Sequence, residues 1–146
     1  MSFLGLVLIV SFAFPEEIQE SRPGFPPNAI INASYKGDEK TVREILDSGV
    51  DKDVRDALGA TALHQAVFQK NITVVKLLLD YGFDPNAVAE RNGYTPLHNA
   101  VAANNPAAAK LLLDYGASKR IKSNQGYTPL ELARKGEKRD MINILN

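Results

Sequence analysis

The chain of 146 residues contains no cysteine and no tryptophan, and its only histidines are His64 and His98. Without cysteine there are no disulfides, no thiolate metal sites and no cysteine nucleophile. Net charge is missing too, because 17 Lys and Arg balance 17 Asp and Glu. A general grip on DNA or RNA needs surplus positive charge to displace counterions, so nucleic acid is not an expected partner. Charge is also absent locally: no charged side chain precedes Glu16. The length itself suits a single domain.

The uncharged stretch is strongly apolar. Met1–Phe14, MSFLGLVLIVSFAF, holds 11 apolar residues among its 14. A spanning helix needs about 20 such residues, whereas the apolar region of a secretory signal runs to about 7–15. Ser11 and Ala13 provide the small side chains that signal peptidase requires before a cut after Ala13. The pattern departs from a standard signal in having no Lys or Arg before Arg22. Residues 1–13 are read as a signal peptide, which predicts an exported protein, periplasmic or secreted, with no membrane anchor after cleavage. Pro15, Pro23, Pro26 and Pro27, half of the 8 prolines, follow together with Gly24. Proline fixes φ and removes a donor, so residues 14–27 read as an extended, mobile linker.

The remainder repeats. LLLDYG occurs at Leu77–Gly82 and again at Leu111–Gly116, and Thr61-Ala-Leu-His64 returns as Thr95-Pro-Leu-His98 and Thr128-Pro-Leu-Glu131. Gly49, Gly82 and Gly116 keep the same spacing of 33 or 34 residues. A fixed period in three separate landmarks marks a tandem array. Within the second unit, Ala62–Gln69 reads as a short helix with Leu63, Ala66 and Val67 inward. Thr73–Tyr81 reads as a second helix, with Val74, Val75, Leu77 and Leu78 on its buried side. Gly82 then supplies the positive φ that ends it. Thr95 and Thr128 are placed as N-caps, with Pro96 and Pro129 in the first turn where a helix accepts proline. The connection from Gly82 to Thr95 is one residue longer than its counterparts, and that insertion falls in the projecting tip Ala87–Tyr94.

Thr95-Pro-Leu-His98 and this period closely resemble the ankyrin repeat. The resemblance implies an all-α solenoid of about four helix-turn-helix units, 28–57, 58–91, 92–124 and 125–146, within a domain spanning 28–146. The first and last units would be caps, because each unit buries its apolar face only against neighbours. In the last, Met141, Ile142, Ile144 and Leu145 close the stack, and Glu137, Lys138, Arg139 and Asp140 are expected to face solvent. It also implies that His64 and His98 are structural, their imidazoles bonding the backbone between units.

No sequence pattern of an enzyme accompanies the repeats. Gly-x-Ser-x-Gly, His-Glu-x-x-His and a phosphate-binding glycine loop are all missing. Neither a catalytic residue, a metal nor a cofactor is expected. Asn32-Ala-Ser34 and Asn71-Ile-Thr73 fit a glycosylation sequon but are read as accidental.

Ankyrin-like proteins bind through the concave side made of hairpin tips and first-helix faces. In register, that side holds Asn32, Gln65, Asn99 and Leu132 in one row and Tyr35, Phe68, Ala102 and Lys135 in another. Tyr94 and Tyr127 stand before their threonines, and Arg55, Asp56, Arg91, Asn92, Asn124 and Gln125 occupy the tips. Tyrosine, arginine and exposed rings are favoured at interface hot spots. The expected partner-binding residues are therefore Asn32, Tyr35, Gln65, Phe68, Arg91, Tyr94, Asn99 and Tyr127. Lys119, Arg120, Lys122, Arg134, Lys135, Lys138 and Arg139 make the C-terminal half basic, which would steer an acidic partner.

These readings predict a non-catalytic, exported module, monomeric when unbound, that docks one folded protein. Small periplasmic ankyrin proteins suggest an inhibitor or immunity role against a secreted hydrolase such as a cell-wall endopeptidase. The alternatives are an effector acting on a host protein, or an intracellular adaptor if the leader is not cleaved.

Overall fold

A computed structural model describes residues 24–146; the expected signal peptide and the first part of the expected linker, residues 14–23, lie outside the described residues. Eight helices follow in pairs: α1 (Ala29–Lys36) with α2 (Glu39–Asp47), α3 (Ala62–Ala66) with α4 (Thr73–Asp80), α5 (Pro96–Ala102) with α6 (Pro106–Asp114), and α7 (Pro129–Lys135) with α8 (Arg139–Leu145). The described residues contain no strand. First helices α1, α3, α5 and α7 stack in one layer, and second helices α2, α4, α6 and α8 in the other. This is the expected all-α solenoid.

The local causes repeat from unit to unit. Thr95 and Thr128 sit in extended backbone and accept the N–H of His98 and Glu131 at their Oγ1 atoms, with proline next in the chain. Gly49, Gly82 and Gly116 take φ of 87°, 87° and 90°, a region that costs a side chain dearly. Ile45, Leu78, Leu112 and Met141 fill the space behind the second helices, and Leu63 and Leu97 that behind the first; all are buried. On the outside, the Tyr81 hydroxyl donates to Asp47 at 2.8 Å, and that of Tyr115 donates to Asp80. Because Asp and Tyr are adjacent in each LLLDYG, the repeat period sets each tyrosine beside the preceding unit's aspartate.

Three expectations need correction. Helix α3 stops at Ala66, not Gln69, because Phe68 and Gln69 turn back onto the carbonyls three residues earlier. The freed carbonyls of Val67 and Gln69 are taken by Asn105 Nδ2 of the next unit, each at 2.8 Å. Lys138 does not face solvent: its Nζ donates to Val101 and Ala102 carbonyls at 2.6 and 2.8 Å, closing the end of α5. A cation at a helix C-terminus is doubly favoured there, by hydrogen bonds and by the helix dipole. The end of the expected linker is not free either. Pro26 carbonyl accepts from Ala29 N–H at 2.9 Å, and Gly24–Pro27 share a shallow cavity with Ile45, Val50 and Val54.

Candidate functional site: the concave groove

The tips are built by short turns. Asp56 N–H bonds to Ala60 carbonyl at 2.9 Å and Ser123 N–H to Tyr127 carbonyl at 2.9 Å, each closing a turn over four residues. In the second tip the matching bond runs from Ala89 N–H to Tyr94 carbonyl at 2.8 Å, one residue further along. The inserted residue therefore lies within Glu90-Arg91-Asn92. It is not a loose bulge. Arg91 N–H donates to Leu58 carbonyl at 3.2 Å, and Arg91 carbonyl accepts from Asn124 Nδ2 at 3.3 Å, so the tips on both sides hold its backbone.

Tip stacking explains two glycines. At Gly59 a Cβ would lie 2.7 Å from the main-chain nitrogen of Glu90, and at Gly93 one would lie 2.6 Å from that of Asn124. The register-equivalent Gly126 has open space around it. Side chains brace the first tip. Arg55 Nη1 donates to the carbonyls of Gly59 and Val88, both at 2.7 Å. Asp56 accepts from Leu58 and Ala60 N–H and from Gln65 Nε2.

Between tips and first helices lies a groove of about 460 Å³. Tyr35, Gln65, Phe68, Arg91, Tyr94 and Asn99 line it, together with Leu58 and Ala102. Asn32 and Tyr127 are not among the lining residues. Asn32 is exposed on α1, and the Tyr127 ring lies under Lys135 Nζ at 4.7 Å. Tyr35 is 58 % exposed and Phe68 44 % exposed, so these rings stand in solvent rather than in the core. The amide row is partly committed: Gln65 donates to Asp56, and Asn99 Nδ2 donates to His64 carbonyl at 3.1 Å. Tyr94 is half-buried and stacks on His98, with ring centres 5.2 Å apart.

Leu58, also 44 % exposed, was not anticipated from the sequence. Its signal was a column: Asn92 and Gln125 occupy the same place three residues before the threonine, so an apolar residue there is out of character.

The histidines lie behind the groove, at the seams. Thr61 N–H donates to His64 Nδ1 at 3.1 Å, while His64 Nε2 meets Tyr94 carbonyl at 2.9 Å. Thr95, His98 and Tyr127 repeat the arrangement at 3.2 and 2.9 Å. Since Nδ1 accepts, Nε2 must carry the proton and the ring is neutral. Burial pushes the His64 pKa down to about 4 and lowers that of His98 as well. Both rings are fully covered by protein. In the last unit Glu131 replaces histidine; its carboxylate accepts Thr128 N–H at 2.8 Å, which holds its pKa below the usual range. Among the described residues no group of three His, Asp or Glu is placed to hold a metal ion, and no helix is long and apolar enough to cross a membrane.

Comparison with known proteins agrees with this geometry. A family model described as ankyrin repeats (3 copies) matches residues 6–89, and a second, ankyrin repeats (many copies), matches residues 86–133. The first match starts inside the apolar N-terminal run. An ankyrin repeat protein of Fowlpox virus is 37% identical over 59 residues, which is 40% of this chain and 8% of the relative. The 2-5A-dependent ribonuclease of Mus musculus is 37% identical over 67 residues, 45% of this chain and 9% of its own length. An ankyrin repeat-containing protein of Treponema pallidum is 36% identical over 58 residues, 40% of this chain and 20% of its own. The chain thus spans a fifth or less of each of these relatives. With family models matching from residue 6 to residue 133, the chain belongs to the ankyrin-repeat family.

Proposed function

We propose that this chain is a non-catalytic interaction module that docks one folded protein in the groove between its tips and first helices. Ankyrin repeats act as protein-protein interaction modules, and the groove here is the surface best fitted to that work. The observation that carries the reading is the exposure of Tyr35 and Phe68 on one wall, facing Leu58, Arg91 and Tyr94. Rings left in water gain from burial against a partner, and aromatic anchors beside arginine are typical of binding hot spots. Gln65 and Asn99 complete the lining, with Asn32 and Tyr127 as outlying contacts.

The narrower form of the proposal is an exported inhibitor or immunity partner of a secreted hydrolase. It is supported by the uncharged apolar run at residues 1–14. One observation favours a second reading, an intracellular adaptor. The ankyrin match begins at residue 6, within the run that the first reading removes. Mass spectrometry of the mature N-terminus separates them: a chain starting at Phe14 supports export, and an intact Met1 or Ser2 ends it.

The groove itself is tested by Tyr35→Ala and Phe68→Ala. Each should weaken capture of the native partner while changing unfolding free energy by less than about 1 kcal/mol. A large loss of stability would return these rings to the core.

A further inference from the structure

Two troughs meet at Phe68. One is the groove just described; the other, about 600 Å³, runs along the start of α6 and is lined by Lys70 and Lys110 among small and amide residues. Together the lining residues include three cations, Arg91, Lys70 and Lys110, and not one carboxylate. Asp56, Glu90 and Glu131 lie outside the lining of both troughs. Asp56 holds its own turn and Gln65, and Glu131 holds Thr128 N–H. Glu90 turns its Cβ and Cγ against Gly59 of the neighbouring tip.

Acid–base pairing lies elsewhere. All three ion pairs among the described residues, Arg43–Glu39, Lys40–Glu44 and Lys76–Asp80, run within the outer helices α2 and α4. A chain of zero net charge therefore keeps its pairs outside and leaves this trough positive. The inserted residue adds to the asymmetry. It brings an arginine to the groove edge beside Asn92, the residue in register with Leu58 and Gln125, and the backbone bonds to Leu58 and Asn124 fix the base from which the guanidinium reaches. A positioned guanidinium is well suited to a carboxylate, which it can grip with two parallel hydrogen bonds.

We propose that the trough takes an acidic segment of the partner protein: one carboxylate on Arg91, an aliphatic or aromatic side chain on Phe68, and further acidic residues towards Lys70 and Lys110. This deepens the groove reading and rests on it. The order acid, apolar, acid follows the order of the lining residues, and charge of one sign along a cleft also speeds encounter.

The test is selection of binders from a random peptide-display library on the full chain, followed by affinity measurement against variants. Selected peptides should carry acidic residues on both sides of an apolar one. Arg91→Glu and Lys110→Glu should each weaken them by about tenfold or more, and Lys40→Glu, a charge-matched control on the outer helix α2, should not. Affinity should also fall as salt rises. Neutral or basic selected peptides, no selected peptide at all, or indifference to Arg91→Glu would overturn the assignment. If neutral peptides are selected and lost with Phe68→Ala, the acidic partner falls while the groove reading stands. If selected peptides ignore Phe68→Ala too, both fall. Should a synthetic peptide of residues 14–23, which holds Glu16, Glu17 and Glu20, compete the library peptides away, the occupant is the chain's own segment and the partner assignment falls.

Discussion

His64 Nε2 lies 2.9 Å from the main-chain oxygen of Tyr94, joining the second unit to the third across a sequence gap of 30 residues. The same ring receives Thr61 N–H at Nδ1, so one buried imidazole ties down its own helix start and the next unit at once. Removing it leaves a buried donor and a buried acceptor without partners. His64→Ala should cost roughly 2–4 kcal/mol of unfolding free energy. Urea denaturation followed by circular dichroism measures this, and a loss below about 1 kcal/mol would mean the seam does not depend on the ring.

Acid should loosen the fold through the same residue. The His64 pKa is near 4 in the folded chain against 6.5 in a free histidine, because burial disfavours the charged ring. Between those values the unfolded chain binds a proton that the folded chain refuses. Stability is therefore complete above about pH 6.5 and falls as pH drops towards 4, by on the order of 3 kcal/mol from His64 alone. His98 shifts in the same direction and adds to the loss. Urea midpoints compared at about pH 7.5 and pH 4.5 check this, and His64→Gln should flatten the dependence.

The tip glycines should separate into two groups. Gly93→Ala places a Cβ within 2.6 Å of the Asn124 nitrogen, a main-chain atom that cannot swing aside. Gly126→Ala meets nothing within 4 Å and bears only the penalty of its φ of 83°. The second substitution should cost about 1 kcal/mol, the first at least about 2 kcal/mol more. Equal costs in urea denaturation would show that the tips do not press on one another.

Neighbouring cations in the last unit should behave differently. Lys138→Ala strips two bonds from the end of α5 and should cost about 1–2 kcal/mol. Arg139→Ala, at an exposed position beside it, should change stability by less than about 0.5 kcal/mol. Thermal unfolding of the two variants side by side decides the point.

The fold was legible because ankyrin units repeat their landmarks in the open. Thr-Pro-Leu-His, LLLDYG and the helix-ending glycines each recur with the period, and each has one local job, so spacing alone located them. The bonds between units were less legible because different residues do them. Asn105 and Lys138 occupy the same place at the start of a second helix, and both reach back to the previous first helix. One uses an amide and the other an ammonium group, so no shared letter announced the role. Arg91 was visible as a tip residue next to an insertion, but not the two bonds that hold its backbone. Those depend on Leu58 and Asn124, each 33 residues away in the chain, and only the stacking of tips brings them to it.

In the histidine seams the accepting atom is always a carbonyl of the main chain. His64 and His98 bond the backbone of Tyr94 and Tyr127, not their side chains. The residue that closes a seam is thereby free to change its identity without opening it. At Tyr94 and Tyr127 the bond between units uses main-chain atoms and leaves the phenol ring out of it. A library randomised at Tyr94 and Tyr127 would vary what the protein meets while leaving intact the bonds by which its units meet each other.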